Sequence, residues 1–229
     1  MTRLLASVKS LHEARLALAC GVDIIDLKDP EAGVLGALPP DTVARVVRMV
    51  DRRCKVSATL GDLPMQPKIL CETAAQFAAT GVDFIKVGFF CAAKDCIAAL
   101  AGKARLIAVL FVDRSPDFKL LADFADAGFA GVMLDTAGKT NGNLCSQMDA
   151  PALQEFIQRA QALGLVTGLA GSLRLADIPD LIKLGPDYLG FRGALCAETV
   201  RSRGLEASRV SALRNAIPRL SADTSRAVG

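Results

Sequence analysis

The sequence predicts a single-domain (β/α)8 barrel, the TIM-barrel architecture. Apolar runs of strand length alternate with segments of helical period along the whole chain, which is the pattern of a parallel α/β fold. Eight such runs can be counted, and eight helical segments alternate with them. The even-numbered runs also share an opening: Ala19-Cys-Gly-Val-Asp23, Ala79-Thr-Gly-Val-Asp83, Ala127-Gly-Phe-Ala-Gly131 and Leu184-Gly-Pro-Asp187. This repetition, a two-strand unit about every 50 residues, favours a quasi-repeating barrel.

The first run, residues 3–8, is followed by a helical segment over 10–20, which carries the single histidine, His12. Gly21 ends that helix, because glycine reaches the left-handed C-cap conformation without steric cost, and the chain turns into the second run at 23–27. A helix over 41–50, the third run at 55–60 and a helix over 68–80 follow, and Gly81 repeats the turn into the fourth run at 83–87. A helix over 94–101 and the fifth run at 105–111 lead to a helix over 117–127, the Gly128 turn and the sixth run at 131–134. A helix over 151–163, the seventh run at 165–170, a helix over 176–184 and Gly185 bring in the eighth run at 187–191, and a helix over 205–216 closes the pattern. An open doubly wound sheet is the structural alternative, disfavoured because no Gly-x-Gly-x-x-Gly follows the first strand. The barrel is expected over residues 1–219, and the aperiodic stretch 220–229 is expected to fray.

With 229 residues, 52% of them apolar, and a mean hydropathy of +0.35, the chain can build a sizeable core. Lys and Arg number 27 against 24 acidic residues, a balance that argues against a nucleic-acid partner; Arg201, Arg203, Arg209, Arg214 and Arg219 read as a solvated helix face. No apolar run approaches the roughly 18 residues of a membrane span and no cleavable signal opens the chain, so a cytoplasmic enzyme is expected, with no membrane partner. Seven cysteines without the paired spacings of zinc sites, Cys91 and Cys96 included, read as thiols, and no metal is expected. With one His, one Tyr and no Trp, His-based triads are excluded and proton transfer falls to lysines, carboxylates, hydroxyls or water.

In such a barrel the reacting groups lie at the carboxyl ends of the strands. Cys20-Gly-Val-Asp-Ile-Ile-Asp-Leu-Lys28 and Thr80-Gly-Val-Asp-Phe-Ile-Lys-Val-Gly88 nearly repeat each other, and each carries a lysine into the end of an apolar strand. Strand alternation puts Asp26 and Lys28 on one face of the second strand and Lys86 with Gly88 on one face of the fourth. Asp135, at the end of the sixth, precedes Thr136 and the loop lysine Lys139, while Ser57, Thr59 and Asp62 belong to the third. A buried ion-pair network is one reading of these charges. The other is amine chemistry: one ammonium beside a second lysine favours a neutral amine, which attacks carbonyls to form a Schiff base. Gly168-Leu-Ala-Gly-Ser-Leu173 and Gly190-Phe-Arg-Gly-Ala194, after the last two strands, are where barrels gather phosphate; Gly171, Ser172, Gly193 and Ala194 are the candidates, with Arg192 as a partner. The loop from Lys28 to Gly36 is long enough to cover the pocket.

Asp23-Ile-Ile-Asp-Leu-Lys-Asp-Pro-Glu-Ala-Gly-Val-Leu-Gly-Ala37, Val56-Ser-Ala-Thr-Leu-Gly-Asp-Leu-Pro64, Phe84-Ile-Lys-Val-Gly88, Met133-Leu-Asp-Thr-Ala137 and Leu169-Ala-Gly-Ser-Leu173 together resemble the (5-formylfuran-3-yl)methyl phosphate synthase family of methanofuran biosynthesis, over about residues 3–216. The resemblance implies a lyase that condenses two molecules of glyceraldehyde 3-phosphate into 4-(hydroxymethyl)-2-furaldehyde phosphate, losing phosphate and water, with no cofactor. It implies Lys28 as the Schiff-base lysine, Lys86 as the proton-transfer residue, and Asp26, Asp135 and Lys139 in support. Two segments depart from the family pattern: Phe111-Val-Asp-Arg-Ser-Pro-Asp117 is shorter, and Gly138-Lys-Thr-Asn-Gly142 differs around Lys139. A Schiff-base aldolase, a phosphosugar isomerase and a non-enzymatic barrel binding a phosphorylated ligand are the alternatives. The oligomeric state stays open, a homo-oligomer included.

Overall fold

Eight parallel strands close into a barrel in the order of the sequence. The computed structural model describes residues 1–138 and 142–218. The strands are β1 (Arg3–Val8), β2 (Ile24–Leu27), β3 (Lys55–Thr59), β4 (Phe84–Phe89), β5 (Leu106–Phe111), β6 (Gly131–Asp135), β7 (Val166–Leu169) and β8 (Tyr188–Phe191), with β8 pairing back onto β1. Helices α1 (Leu11–Ala19), α2 (Pro40–Val50), α3 (Pro67–Ala78), α4 (Lys94–Leu100), α5 (Leu120–Asp126), α6 (Leu144–Gln147), α7 (Ala150–Ala162), α8 (Ile178–Lys183) and α9 (Ala207–Ala216) lie between and after them. Every predicted strand and helix is present, with ends shifted by a few residues. The short α6 has no counterpart among the predicted helices; Asn143 caps it by accepting a bond from the Ser146 N–H.

The repeated opening has a physical cause. Gly21, Gly81, Gly128 and Gly185 all sit at φ between 71° and 83°, where a side chain would be strained, so each ends its helix and turns the chain toward the barrel. After three of them, Gly21, Gly81 and Gly185, an aspartate two residues later ties adjacent strands together. Asp23 accepts from the Leu4 N–H at 2.7 Å, Asp83 from the Val56 N–H at 2.9 Å, and Asp187 from the Thr167 N–H at 2.7 Å. Each of these carboxylates, at the start of an even strand, thus satisfies an N–H on the preceding odd strand and helps set the register.

Two apolar clusters result. The larger fills the space between strands and helices, with Leu4, Ile25, Val46, Phe124 and Phe156 among its members. The smaller is the barrel interior, where Leu5, Ile24, Ile107, Val109, Phe111, Met133 and Tyr188 point inward by strand alternation. Ser7, Asp26, Ser57, Thr59 and Lys86 are also buried. These polar residues interrupt the aliphatic layering, and they are where the site begins.

Arg214 departs from the solvated face predicted for the arginine cluster. It is 5% exposed, its guanidinium pairs with Asp23 and donates to the Ile217 carbonyl, and so it anchors α9 to the start of β2. Among the described residues no helix is long and apolar enough to cross a membrane.

Candidate active site

Asp26 is the buried centre of the site. Ser7 on β1 donates to its Oδ2 at 2.9 Å, Ser57 on β3 donates to its Oδ1 at 2.6 Å, and Lys86 Nζ on β4 stands 2.9 Å from Oδ1. Burial pushes the Asp26 carboxyl up, but the Lys86 ammonium, the Ser57 hydroxyl and the Lys28 charge outweigh it and hold it below the ordinary carboxylate value. Asp26 therefore stays ionised at neutral pH and acts as a fixed anion that positions Lys86.

Lys28, just past β2, faces the same cavity from the rim. Its Nζ lies 3.7 Å from Asp135 Oδ2, an ion-pair contact longer than a hydrogen bond, and its side chain is 11% exposed. Asp135 in turn accepts from the Thr136 N–H at 2.7 Å. The two lysines are thus each assigned to a carboxylate on another strand. The near-repeat that places Lys28 just past β2 has Gly88 at the matching position, in β4, and a Cβ there would come within 2.7 Å of Leu35 Cδ1. Absence of a side chain at Gly88 leaves room for the loop that covers the pocket.

Two carboxylates outside the reacting cluster shape its loops. Asp62 accepts from the Val34 and Leu35 N–H groups, both at 2.7 Å, and pins the covering loop. Asp113 accepts from the Ala137 N–H at 2.9 Å and the Gly138 N–H at 2.5 Å, and so holds the segment after Asp135. Burial raises the Asp113 carboxyl, yet these backbone donors outweigh it and hold the group below its ordinary value. Lys139 lies outside the described residues.

The cavity above this cluster encloses about 690 Å3 and includes Gly171, Ser172, Gly193 and Ala194 in its lining. The N–H groups of these four residues have no acceptor among the described residues. Gly171 and Ser172 both take positive φ, 106° and 52°, and a Cβ at Gly171 would meet Thr136 Cγ2 at 2.9 Å. The backbone is thereby turned into the cavity at the end of β7. Arg174, Arg201 and Arg209 complete a cationic lining. Arg201 reaches it because the segment after β8 folds back on itself through the Cys196–Leu205 bridge, and it donates to the Gly33 carbonyl of the covering loop at 3.3 Å.

Arg192, expected to assist the phosphate-binding loops, lines the same cavity, but its guanidinium donors are committed elsewhere. Its guanidinium pairs with Glu13 through both terminal nitrogens and also donates to the carbonyls of Ser7, Arg201 and Arg203. Burial makes full pairing of such a charge obligatory, and Glu13, 179 residues away in sequence, provides it. Arg192→Met is expected to lower stability by about 3–5 kcal/mol by stranding the buried Glu13 carboxylate. Urea denaturation checks this, and a variant as stable as the parent would show that the pair is not a structural anchor.

Residues 4–214 match the 4-HFC-P synthase family. The chain belongs to this family. Relatives of the 4-HFC-P synthase fold and sequence include the (5-formylfuran-3-yl)methyl phosphate synthases of Methanococcus aeolicus, 36% identical over 88% of this chain and 93% of that one, and of Methanocaldococcus jannaschii, 34% identical over 88% and 93%. A protein of Methylorubrum extorquens that carries the same synthase name provisionally is 46% identical, over 91% of this chain and 89% of that one. Among solved structures, this 4-HFC-P synthase family member is similar to phosphoribosyl anthranilate isomerase from Thermus thermophilus, with a TM-score of 0.68, 13% identity and coverage of 94% and 98% of the two chains. It is likewise similar to 3-hexulose-6-phosphate synthase, with a TM-score of 0.67, 18% identity and coverage of 95% and 100%. The likeness to these two structures shows the barrel fold.

Proposed function

We propose that this barrel condenses two molecules of glyceraldehyde 3-phosphate into (5-formylfuran-3-yl)methyl phosphate, releasing inorganic phosphate and two molecules of water, as a lyase of methanofuran-type carrier biosynthesis. The observation that carries this reading is a single cavity holding two lysines, each with its own carboxylate: Lys86 on Asp26 at 2.9 Å and Lys28 near Asp135 at 3.7 Å. Membership in a family of named synthases supports this reading, and the pair offers a chemistry for it.

In this scheme one triose phosphate is isomerised to its ketone, and Lys28 captures the carbonyl as an iminium with loss of water. The iminium is an electron sink, so the adjacent C–H bond breaks, its electron pair forms an enamine, and the proton passes to Lys86. A carbon–carbon bond then joins this three-carbon unit to the second triose phosphate. Elimination of one phosphate, ring closure and dehydration, with hydrolysis of the Lys28 adduct, give the aromatic furan. Asp26 holds Lys86 in place throughout, and Asp135 does the same for Lys28.

The retained phosphate is assigned to the amide groups of Gly171, Ser172, Gly193 and Ala194, where partial positive charge from the N–H groups meets the Arg201 and Arg174 side of the cavity. Gly193→Asp adds a carboxylate beside that position, and a Cβ there stands 3.2 Å from the Thr199 carbonyl, close but without severe overlap. The variant is expected to raise KM by about tenfold or more with a smaller change in kcat. An unchanged KM would remove Gly193 from the phosphate site.

The overall reaction is tested by incubating the protein with glyceraldehyde 3-phosphate and following furan-aldehyde absorbance together with phosphate release. Equimolar furan and phosphate are expected. Formation of dihydroxyacetone phosphate or a hexose bisphosphate without furan would instead identify an isomerase or an aldolase.

A further inference from the structure

The segment between β8 and α9 returns on itself and carries one cation to the cavity. Cys196 and Leu205 pair as an antiparallel bridge, and Glu198 and Thr199 take φ of 52° and 59°, two successive non-glycine residues in the left-handed region. Such a backbone persists where its surroundings enforce it. Here three successive carbonyls are held by cationic side chains: Arg192 Nε donates to that of Arg201 at 2.8 Å, Lys9 Nζ to that of Ser202 at 2.5 Å, and Arg192 Nη2 to that of Arg203 at 2.9 Å. The buried Arg192–Glu13 pair is thus a fixed base for Arg201.

Arg201 is half-buried in the cavity lining, and among the described residues its guanidinium makes one hydrogen bond, to the Gly33 carbonyl of the covering loop at 3.3 Å. Its other N–H donors are unused there. The carboxylates of Asp135, Asp62 and Asp29 attract it, but they are engaged by Lys28 and by the N–H groups of Val34, Leu35 and Glu31. The remaining arginines of the cavity differ: Arg192 is committed to Glu13, Arg209 pairs with Glu206 at 2.7 Å, and Arg174 is exposed.

Two triose phosphates bring two phosphate monoesters into this space, each carrying about 1.5 to 2 negative charges at neutral pH. The lysines and carboxylates of the reacting cluster offset one another, and the amides of Gly171, Ser172, Gly193 and Ala194 offer one cradle of partial positive charge. A second phosphate calls for a full cation. We propose that Arg201 binds the phosphate that is lost in the reaction, and so requires the second triose to be phosphorylated. This rests on the reading of the cavity as the place where two triose phosphates condense. In the elimination the carbon–oxygen bond to that phosphate breaks and its electron pair goes to the phosphate oxygen, while the electron pair of the neighbouring C–H bond forms the new double bond. The C–H proton ends on the released hydrogen phosphate. The guanidinium, a bidentate partner for phosphate oxygens, stabilises the charge that develops on the leaving group.

The test compares the parent protein, Arg201→Met and Arg201→Lys in two assays as glyceraldehyde 3-phosphate is varied. Borohydride trapping reports capture of the first triose, and furan-aldehyde absorbance reports use of the second. Arg201→Met removes the cation but keeps the backbone carbonyl that Arg192 holds. Its half-saturating concentration for trapping is expected within about twofold of the parent, whereas its KM for furan formation should rise about tenfold or more and inhibition by added inorganic phosphate should weaken by a similar factor. Arg201→Lys, which keeps a point charge without the planar fork, should lie between the two, at about threefold in KM. The lysine variant carries the comparison if methionine lowers the thermal midpoint. Equal shifts in trapping and furan formation would place Arg201 with the first phosphate and overturn the proposal, and so would parent-like values in both assays. A parent that traps substrate but forms no furan would instead sink the condensation, and the second phosphate with it.

Discussion

Lys28→Arg is expected to abolish covalent capture of substrate and to lower furan formation by about three orders of magnitude or more. Arginine keeps a positive charge beside Asp135, so the ion pair between β2 and β6 has a substitute and the loops around it retain their anchor. What it removes is the amine: a guanidinium stays protonated and forms no iminium under ordinary conditions. The variant should therefore fold and bind phosphorylated ligand while failing in chemistry. Single-turnover absorbance at the furan-aldehyde band measures the loss. More than a tenth of the parent rate would mean that another group is the nucleophile.

Lys86 admits a sharper comparison because two substitutions separate charge from basicity. Lys86→Met removes both, and it leaves the buried Asp26 carboxylate without its counter-ion, which costs about 3–5 kcal/mol of stability. Lys86→Arg keeps the charge for Asp26 but cannot serve as a neutral base. Both variants should lose about two to four orders of magnitude in furan formation. Their trapping behaviour should differ. In the methionine variant the loss of a nearby cation and the exposure of the Asp26 charge both favour the protonated Lys28 amine, so iminium formation should require higher pH than in the parent. The arginine variant should still trap substrate near neutral pH. Identical pH profiles for all three proteins would show that Lys28 is not tuned from β4.

The barrel was readable because its two determinants are local. Strand-length apolar runs and the four turn glycines are features of a few consecutive residues, and both reappear in place, with Gly21, Gly81, Gly128 and Gly185 in the left-handed region. The repeated aspartate was visible too, although its job of holding the preceding strand became apparent only from the strand register. Alternation likewise put Asp26, Lys28 and Lys86 on inward faces, since a period of two needs no knowledge of neighbours.

What pairs with what was not readable, because it depends on stagger between strands. Sequence places two lysines near two carboxylates; only the closed barrel matches Lys86 to Asp26 and Lys28 to Asp135. Arg192 shows the same limit. Its position after β8 is that of a ligand-binding arginine, but the decisive fact is Glu13 across the β8–β1 seam. Arg201 failed in the opposite direction: it resembles a surface charge and reaches the cavity through the returning loop closed at Cys196 and Leu205. Asp113 carried no signal of its own, since an aspartate in a polar loop is ordinary until its backbone partners are known.

Borohydride reduction in the presence of glyceraldehyde 3-phosphate, followed by peptide mapping, tests the central assignment most directly. Reduction converts the iminium into a stable secondary amine, so the substrate mass stays on the lysine that formed it. The expected result is a single modified peptide containing Lys28, absent in Lys28→Arg and still formed in Lys86→Arg. Modification at Lys86 alone would reverse the two roles, and no adduct on either lysine during active furan formation would contradict a Schiff-base mechanism in this barrel.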